Sequence, residues 1–279
     1  MSSASTLHFA VIGDPIGHSR SPLMHNAAFR ALDIDADYTA IHVTREELPD
    51  FLNSARTSLN GFNITVPHKH AVIPFLDGIT PRAALAESVN TVSVRDGRLF
   101  GDTTDATGLE RAVQEVFDLP LMSANVCILG CGGVVRALVF HLADAGCARI
   151  RILNRTAEKA ALLTEEILKH APALDCGFAA LDDLPSVKKA FDGSDLVIQC
   201  TSLGLRDGDG SPVDPALIPA SACLFDTIYR ETDILARCRA RGLRVSGGLP
   251  MLVHQGAESF RIWTGREAPA DVMRAAAAG

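Results

Sequence analysis

No apolar run in this chain approaches the length that crosses a bilayer, and the polar opening Met1-Ser-Ser-Ala-Ser-Thr6 has no signal-peptide architecture. A cytoplasmic protein with no membrane partner is the expectation. No C-x-x-C occurs among the seven cysteines Cys127, Cys131, Cys147, Cys176, Cys200, Cys223 and Cys238, which are odd in number and dispersed. That pattern indicates neither a disulfide framework nor a zinc site, and most of them lie in apolar runs as small hydrophobes. The nine histidines form no H-E-x-x-H, and His68 and His70, two apart, fall on different faces of a helix. No metal is expected. A basic stretch is lacking too: the net charge is −7 with Lys and Arg scattered, so nucleic acid is not an expected partner. Any anion must therefore be held by a local pocket and not by the general field. Internal repeats and low-complexity segments are also missing.

What is present is the composition of a globular protein, with 47% hydrophobic and 21% charged residues in a chain of 279, comfortable for two domains. Short apolar strands alternate with helical patterns from end to end, which predicts α/β layers on largely parallel sheets. Strands are expected over 7–13, 38–43 and 61–66, with helices over 21–32, where Ser21-Pro22 provides an N-cap and an N1 proline, and over 45–56. A short helix over 81–87 precedes a hairpin of 91–95 and 98–100, turned by Asp96-Gly97, a type I′ pair. The helix over 105–117 links the domains. A second series follows, with strands at 125–129, 149–153, 195–199 and 224–228 and helices after Gly130 and Thr156. Two helical patterns close the chain from 247. The fold class expected is two α/β domains with a cleft between them: one of 1–105, completed by 247–279, and a Rossmann-like one of 106–246.

Two stretches carry chemistry. In Gly61-Phe-Asn-Ile-Thr-Val-Pro-His-Lys69, Asn63 and Thr65 are two apart on a strand and point to one side, and Pro67 forbids its continuation. Lys69 follows with a long stem able to swing over that side. An amide, a hydroxyl and an ammonium aimed into one space suit a small, oxygen-rich anion. In Val126-Cys-Ile-Leu-Gly-Cys-Gly-Gly-Val-Val-Arg-Ala137 a buried strand runs through Gly130, Gly132 and Gly133 into an apolar helix. Such a turn lets the backbone and the helix N-terminus approach a pyrophosphate. Val135 stands where the dinucleotide fingerprint asks for Gly or Ala. The next strand ends in Asn154-Arg155-Thr156 with Lys159 one turn on, where an NAD site carries an acid. Arg155 and Lys159 attract a 2′-phosphate, so NADP is the expected cofactor.

The order and content of these pieces resemble the shikimate dehydrogenase family over nearly the whole chain. Gly13-Asp-Pro-Ile-Gly-His-Ser-Arg-Ser-Pro-Leu-Met-His-Asn26 looks like its N-terminal signature, and the stretch ending in Lys69 like its catalytic-lysine segment. Ser88-Val-Asn-Thr91, Thr104-Asp105, Met251-Leu-Val-His-Gln255 and Trp263-Thr-Gly265 match in the same order. The resemblance implies reversible NADP-dependent oxidation of shikimate to 3-dehydroshikimate by hydride transfer, with Lys69 and Asp105 handling the proton. It further implies that Ser19 and Ser21 grip a carboxylate, that Asn63, Thr65, Asn90 and Gln255 bond ring hydroxyls, and that Tyr229 closes over the carboxylate end. Thr201, Gly248 and Met251 fall where the family approaches the nicotinamide. The expected partner is shikimate or a close analogue, in a monomer or homodimer.

Several positions depart from the family pattern. Thr103-Thr104-Asp105-Ala106 stands for the usual Asn-Thr-Asp-Gly, Glu231 for a proline, Pro250 for a glycine, and Val134 and Val135 for smaller residues. None removes a catalytic group, but they border the ring pocket and the hinge. Quinate or an aminated shikimate is therefore an alternative substrate, the first needing room and a polar partner for one more hydroxyl. A non-catalytic sensor of shikimate-like acids is the rival of another class, and the presence of both Lys69 and Asp105 argues against it.

Overall fold

A computed structural model describes residues 6–279; the first five residues of the polar opening lie outside the described residues. The chain divides into two compact units, one of residues up to Gly108 together with Leu252–Gly279, the other Leu109–Met251.

In the first unit β1 (Leu7–Gly13) is a central strand, and Phe9, Ala10, Val11 and Ile12 are all buried. A strand covered on both faces reads as such an unbroken apolar run. It pairs in parallel with β2 (Ala36–His42) and β3 (Gly61–Ile64), with α1 (Ser21–Ala31) and α2 (Leu48–Ser58) as the crossovers. Beyond β3 come a single helical turn α3 (His68–Ala71), the short β4 (Gly78–Ile79) and α4 (Pro81–Ala86). The hairpin of β5 (Thr91–Arg95) and β6 (Arg98–Asp102) is antiparallel, and Asp96 and Gly97 take φ of 51° and 71° as a type I′ turn requires. The sheet order is β2-β1-β3-β5-β6-β4. From β6 the chain enters α5 (Asp105–Phe117), within which the first unit ends.

The second unit has β7 (Asn125–Leu129), α6 (Val135–Asp144), β8 (Arg149–Asn154), α7 (Ala157–His170), β9 (Asp175–Ala180) and α8 (Leu184–Phe191). Then come β10 (Leu196–Gln199), β11 (Cys223–Asp226), α9 (Asp233–Ala240) and β12 (Arg244–Ser246). Every pairing is parallel and the order is β12-β11-β10-β7-β8-β9, a doubly wound, Rossmann-like sheet. The direction of winding reverses between β7 and β10, where such sheets bind ligands at the carboxyl ends of their strands. The chain returns to the first unit along α10 (Leu249–Thr264) and finishes in α11 (Ala270–Ala278).

On one face of the first sheet α10 packs the buried Phe260 and the half-buried Trp263 into an aromatic cluster with Phe9, Phe29, His25 and Tyr38. A Cβ on Gly61 would lie 2.5 Å from Trp263 Nε1 and 2.8 Å from the Val92 carbonyl, so this strand can begin only with glycine. Two expectations need correction. Ser21 does not cap α1: it is the first helical residue, Arg20 is the N-cap without a side-chain bond, and Ser19 Oγ accepts the Ser21 N–H at 3.3 Å. The helix expected over 45–56 starts at Leu48, after a Thr44–Glu47 turn in which Glu47 accepts the Thr44 N–H at 2.8 Å. β9 and α8 were not foreseen, because β9 is an edge strand with Asp175 and Phe178 exposed and no continuous apolar run. No described helix is long and apolar enough to cross a membrane.

Candidate active site

In the first unit β3 ends at Ile64, and Pro67, which has no N–H to donate, begins the turn that places Lys69 on α3. Lys69 Nζ donates to Asp105 Oδ2 at 2.6 Å, and Asn90 Nδ2 donates to Asp105 Oδ1 at 2.9 Å. Both carboxylate oxygens are thus engaged. Asp105 opens α5, where the helix dipole favours a negative charge. Its side chain is 7% exposed against 25% for Lys69, so Lys69 is the more accessible member of the pair. The Thr104 N–H donates to Asn90 Oδ1 at 2.9 Å, which fixes the carboxamide with its NH2 toward Asp105. Gln255 Oε1 lies 3.4 Å from the same Asn90 nitrogen. Where α5 and α10 meet, a Cβ on Gly108 would sit 2.7–3.0 Å from Gln255 backbone and Cβ atoms.

Asn63 is also brought here, with every polar atom already bonded. Its Oδ1 accepts from Tyr38 Oη at 2.7 Å; its Nδ2 donates to the Asn90 carbonyl at 2.9 Å and to Ser259 Oγ at 3.0 Å. A carbonyl can only accept, so the Asn90 contact decides which way this amide faces. Thr65 is half-buried and its hydroxyl has no partner among the described residues. Ser21 is buried and Ser19 half-buried at the start of α1. Burial raises the Tyr38 phenol well above its usual range, against a smaller opposite pull from Ser21. Tyr38 therefore acts as a neutral donor.

In the second unit the three glycines differ in kind. Gly130 has φ of +106°, and a Cβ there would lie 3.1 Å from backbone atoms of Cys200 and Thr201. At Gly132 the nearest atom is 3.8 Å away, and at Gly133 nothing lies within 4 Å. That space opens at the N-terminus of α6, which has no side-chain cap and no acid in its first turn. The Val135 N–H donates to the Gly132 carbonyl at 3.0 Å, and the N–H groups that follow in the first turn are left for an anion. At the end of β8, Asn154 Nδ2 bonds the Thr156 carbonyl at 2.8 Å, and Arg155, Thr156 and Lys159 are exposed. Neither the Arg155 nor the Lys159 side chain has an ionic partner among the described residues. An open glycine turn, an uncapped helix and two free cations fit a dinucleotide with a 2′-phosphate.

Three family models match in chain order: the shikimate dehydrogenase substrate binding domain over residues 11–92, shikimate / quinate 5-dehydrogenase over 111–204, and the shikimate 5′-dehydrogenase C-terminal domain over 248–278. The shikimate dehydrogenase (NADP(+)) of Symbiobacterium thermophilum is 39% identical over 96% of this chain and 92% of its own. The chain belongs to the shikimate dehydrogenase family. Among solved members, the Thermus thermophilus shikimate 5-dehydrogenase, in complex with NADP(H) and shikimate, is 37% identical with a TM-score of 0.88, over 98% of this chain and 99% of that one. The Corynebacterium glutamicum quinate dehydrogenase, in complex with NAD, is 27% identical with a TM-score of 0.87, over 97% and 98%.

Within this shikimate dehydrogenase fold the remaining residues singled out from the sequence lie in the second unit. Tyr229 is 41% exposed in the loop after β11. That loop is shaped by Asp226, which accepts the Ile228 N–H at 3.0 Å and the Thr232 hydroxyl at 2.7 Å. Burial pushes the Asp226 carboxyl up to about 6, against those two bonds. Gly248 backs onto the same loop: a Cβ would lie 2.2 Å from the Thr227 carbonyl oxygen. Thr201 donates its N–H to Gln199 Oε1 at 2.7 Å, and Met251 is buried. Tyr38, Thr91, Thr104 and Ser259, which hydrogen-bond Asn63 or Asn90, were not among the candidates read from the sequence. Ser259 had one available signal, its place four residues after Gln255 and so on the same helix face.

Proposed function

We propose that this protein catalyses the reversible NADP-dependent oxidation of shikimate to 3-dehydroshikimate. The observation that carries the reading is the Lys69–Asp105 pair at 2.6 Å, fastened on its other side by Asn90. Oxidising a secondary alcohol takes a proton from oxygen and a hydride from carbon. NADP, when bound, supplies the hydride acceptor. Lys69, the more exposed partner, meets the reacting hydroxyl; Asp105 keeps the ammonium in place and shares the proton, so the pair acts as one unit. Asn90, Gln255 and Thr65 are assigned to the ring hydroxyls, together with Asn63 through the second lone pair of its Oδ1, and Ser19, Ser21 and Tyr229 to the carboxylate. Gly132, Gly133 and the α6 N-terminus are assigned to the diphosphate, with Asn154, Arg155, Thr156 and Lys159 around the 2′-phosphate. Gly130 shapes that turn. Thr201, Gly248 and Met251 belong to the nicotinamide end.

Quinate is the second reading, and one observation favours it. Thr103 Oγ1 is buried, two residues from Asp105, with no hydrogen-bond partner among the described residues. It is the kind of hydroxyl an extra ring hydroxyl would satisfy. Initial rates of nicotinamide reduction with shikimate and quinate, each against NADP and NAD, decide between them. Fast turnover of shikimate with NADP supports the first reading; preference for quinate replaces it; no turnover of either acid defeats both. Lys69→Ala is expected to bind NADP as before and to lose nearly all turnover.

A further inference from the structure

Arg82 has no part in the chemistry above, yet its guanidinium meets the end of β6 and also α5 and α10, which carry the proposed site residues Asp105 and Gln255. From α4, its Nε and Nη2 donate to the two oxygens of Asp102, the last residue of β6, at 2.7 and 2.8 Å. Its Nη1 reaches Thr107 Oγ1, in the first turn of α5 beyond Asp105, at 3.4 Å. Its Nη2 lies 3.7 Å from Glu258 Oε1, which is on α10 within a turn of Gln255. The Glu258 side chain is only 3% exposed, and Arg261 also holds it, through Nε at 3.1 Å and Nη2 at 2.7 Å.

Asp102 is the centre of this arrangement. Its carboxylate also accepts the Thr80 hydroxyl at 2.6 Å and the Thr103 N–H at 2.7 Å, and its carbonyl accepts the Asn90 N–H at 3.1 Å. Burial pushes the Asp102 carboxyl up, but Arg82 and Thr80 more than offset it and leave it below the usual carboxylate range. Asn90 is thus tied directly to Asp102, and Asp105 is tied to it through a link of two residues. A bidentate guanidinium–carboxylate pair fixes a plane as well as a distance. It also places a cation beside both the half-buried Asp102 and the buried Glu258, the latter shared with Arg261.

We propose that Arg82 is a positioning residue that keeps Asn90, Asp105 and Gln255 in register with Lys69 during turnover. The proposal rests on the reading that the acid is oxidised beside Lys69 and Asp105. Proton and hydride transfer both demand alignment, and a misplacement of about 1 Å costs on the order of a hundredfold in rate.

The test compares Arg82→Met and Arg82→Lys with the wild type in the full-length protein with NADP. Arg82→Met is expected to lower kcat by 10- to 100-fold with the Kd for NADP unchanged. Arg82→Lys, which keeps the charge but makes only one of the two bonds to Asp102, is expected to recover about half of that loss on a logarithmic scale. A kcat for Arg82→Met within twofold of wild type overturns the proposal. So does a loss that vanishes once rates are corrected for the folded fraction, since that is a stability effect alone. If Arg82→Met does not fold, Arg82→Lys decides: a kcat at least threefold lower at unchanged NADP affinity supports the role, and an unchanged kcat refutes it. Should the wild type oxidise quinate and not shikimate, the substrate reading falls while the Arg82 ratios on quinate still judge this proposal. A wild type that oxidises neither defeats both.

Discussion

The aromatic cluster of the first unit contains a histidine that should make the fold acid-labile. His25 is fully buried, its ring stacks on Tyr38 at 4.3 Å and 4°, and neither ring nitrogen has a hydrogen-bond partner among the described residues. The Phe29, Phe260 and Trp263 rings lie 5.5–6.4 Å away, and none of these neighbours carries a charge. Burial alone depresses its basicity from an ordinary 6.5 to about 3. A base depressed in the folded state contributes stability that is fully present above the unfolded value and is lost as pH falls toward the folded one. For these two values the loss is about 2 kcal/mol at pH 5 and about 3 kcal/mol at pH 4. Leucine, close to histidine in volume, removes the titration; its own packing cost, about 1–3 kcal/mol, is the same at every pH. The chain has a single tryptophan, Trp263, 5.5 Å from His25, so its fluorescence in urea reports this unit. The unfolding free energy of the wild type should fall by about 2 kcal/mol more than that of His25→Leu between pH 8 and pH 5. Parallel profiles, within about 0.5 kcal/mol of each other, would refute the argument, because then His25 is not the neutral, unsolvated ring described.

Asp226 should show the opposite sign: a carboxyl raised to about 6 makes the folded state bind the extra proton, so stability falls as pH rises from about 4 to 6. Calorimetry of Asp226→Asn should find its Tm gaining on wild type from pH 4.5 to 7, and a constant difference would remove the buried charge from the explanation. Gly130→Ala should destabilise the second unit by about 2 kcal/mol, from positive φ and backbone contact together. Gly133→Ala should leave Tm unchanged while weakening NADP binding about tenfold, read by fluorescence titration, since only a ligand would meet the new methyl. Equal Tm losses in both would mean that the turn is wholly structural. Gly108→Ala, despite a helix propensity gain of about 1 kcal/mol, should raise KM for the acid severalfold by displacing Gln255, and an unchanged KM would place Gln255 outside the substrate contacts.

Much of this was legible because the relevant signals are local. The unbroken apolar run of β1, the Asp96-Gly97 turn and the glycine turn before α6 each follow from neighbouring residues, and so the alternation of strands and helices could be read directly. The uncertain parts depend on contacts between distant residues. The half-exposed β9 has no pattern until its pairing with β8 is known. The site follows the same division. Lys69 and Asp105 announce themselves by type, whereas the residues that orient them do so only through the fold. Asn90 is set by the backbone N–H of Thr104, and Asn63 by Tyr38 from a different strand and by Ser259 from the far end of the chain. Arg82 extends this reasoning. As a lone arginine in a short alanine-rich helix it reads as a solvated charge, and only the meeting of Asp102, Thr107 and Glu258 around it marks it otherwise. Reactive groups are constrained by chemistry to a few residue types, while the groups that hold them need only reach. For that reason the positioning residues are the ones a single sequence conceals, and substitutions there separate kcat from binding more sharply than changes to Lys69, which abolish the reaction and leave no ratio to compare.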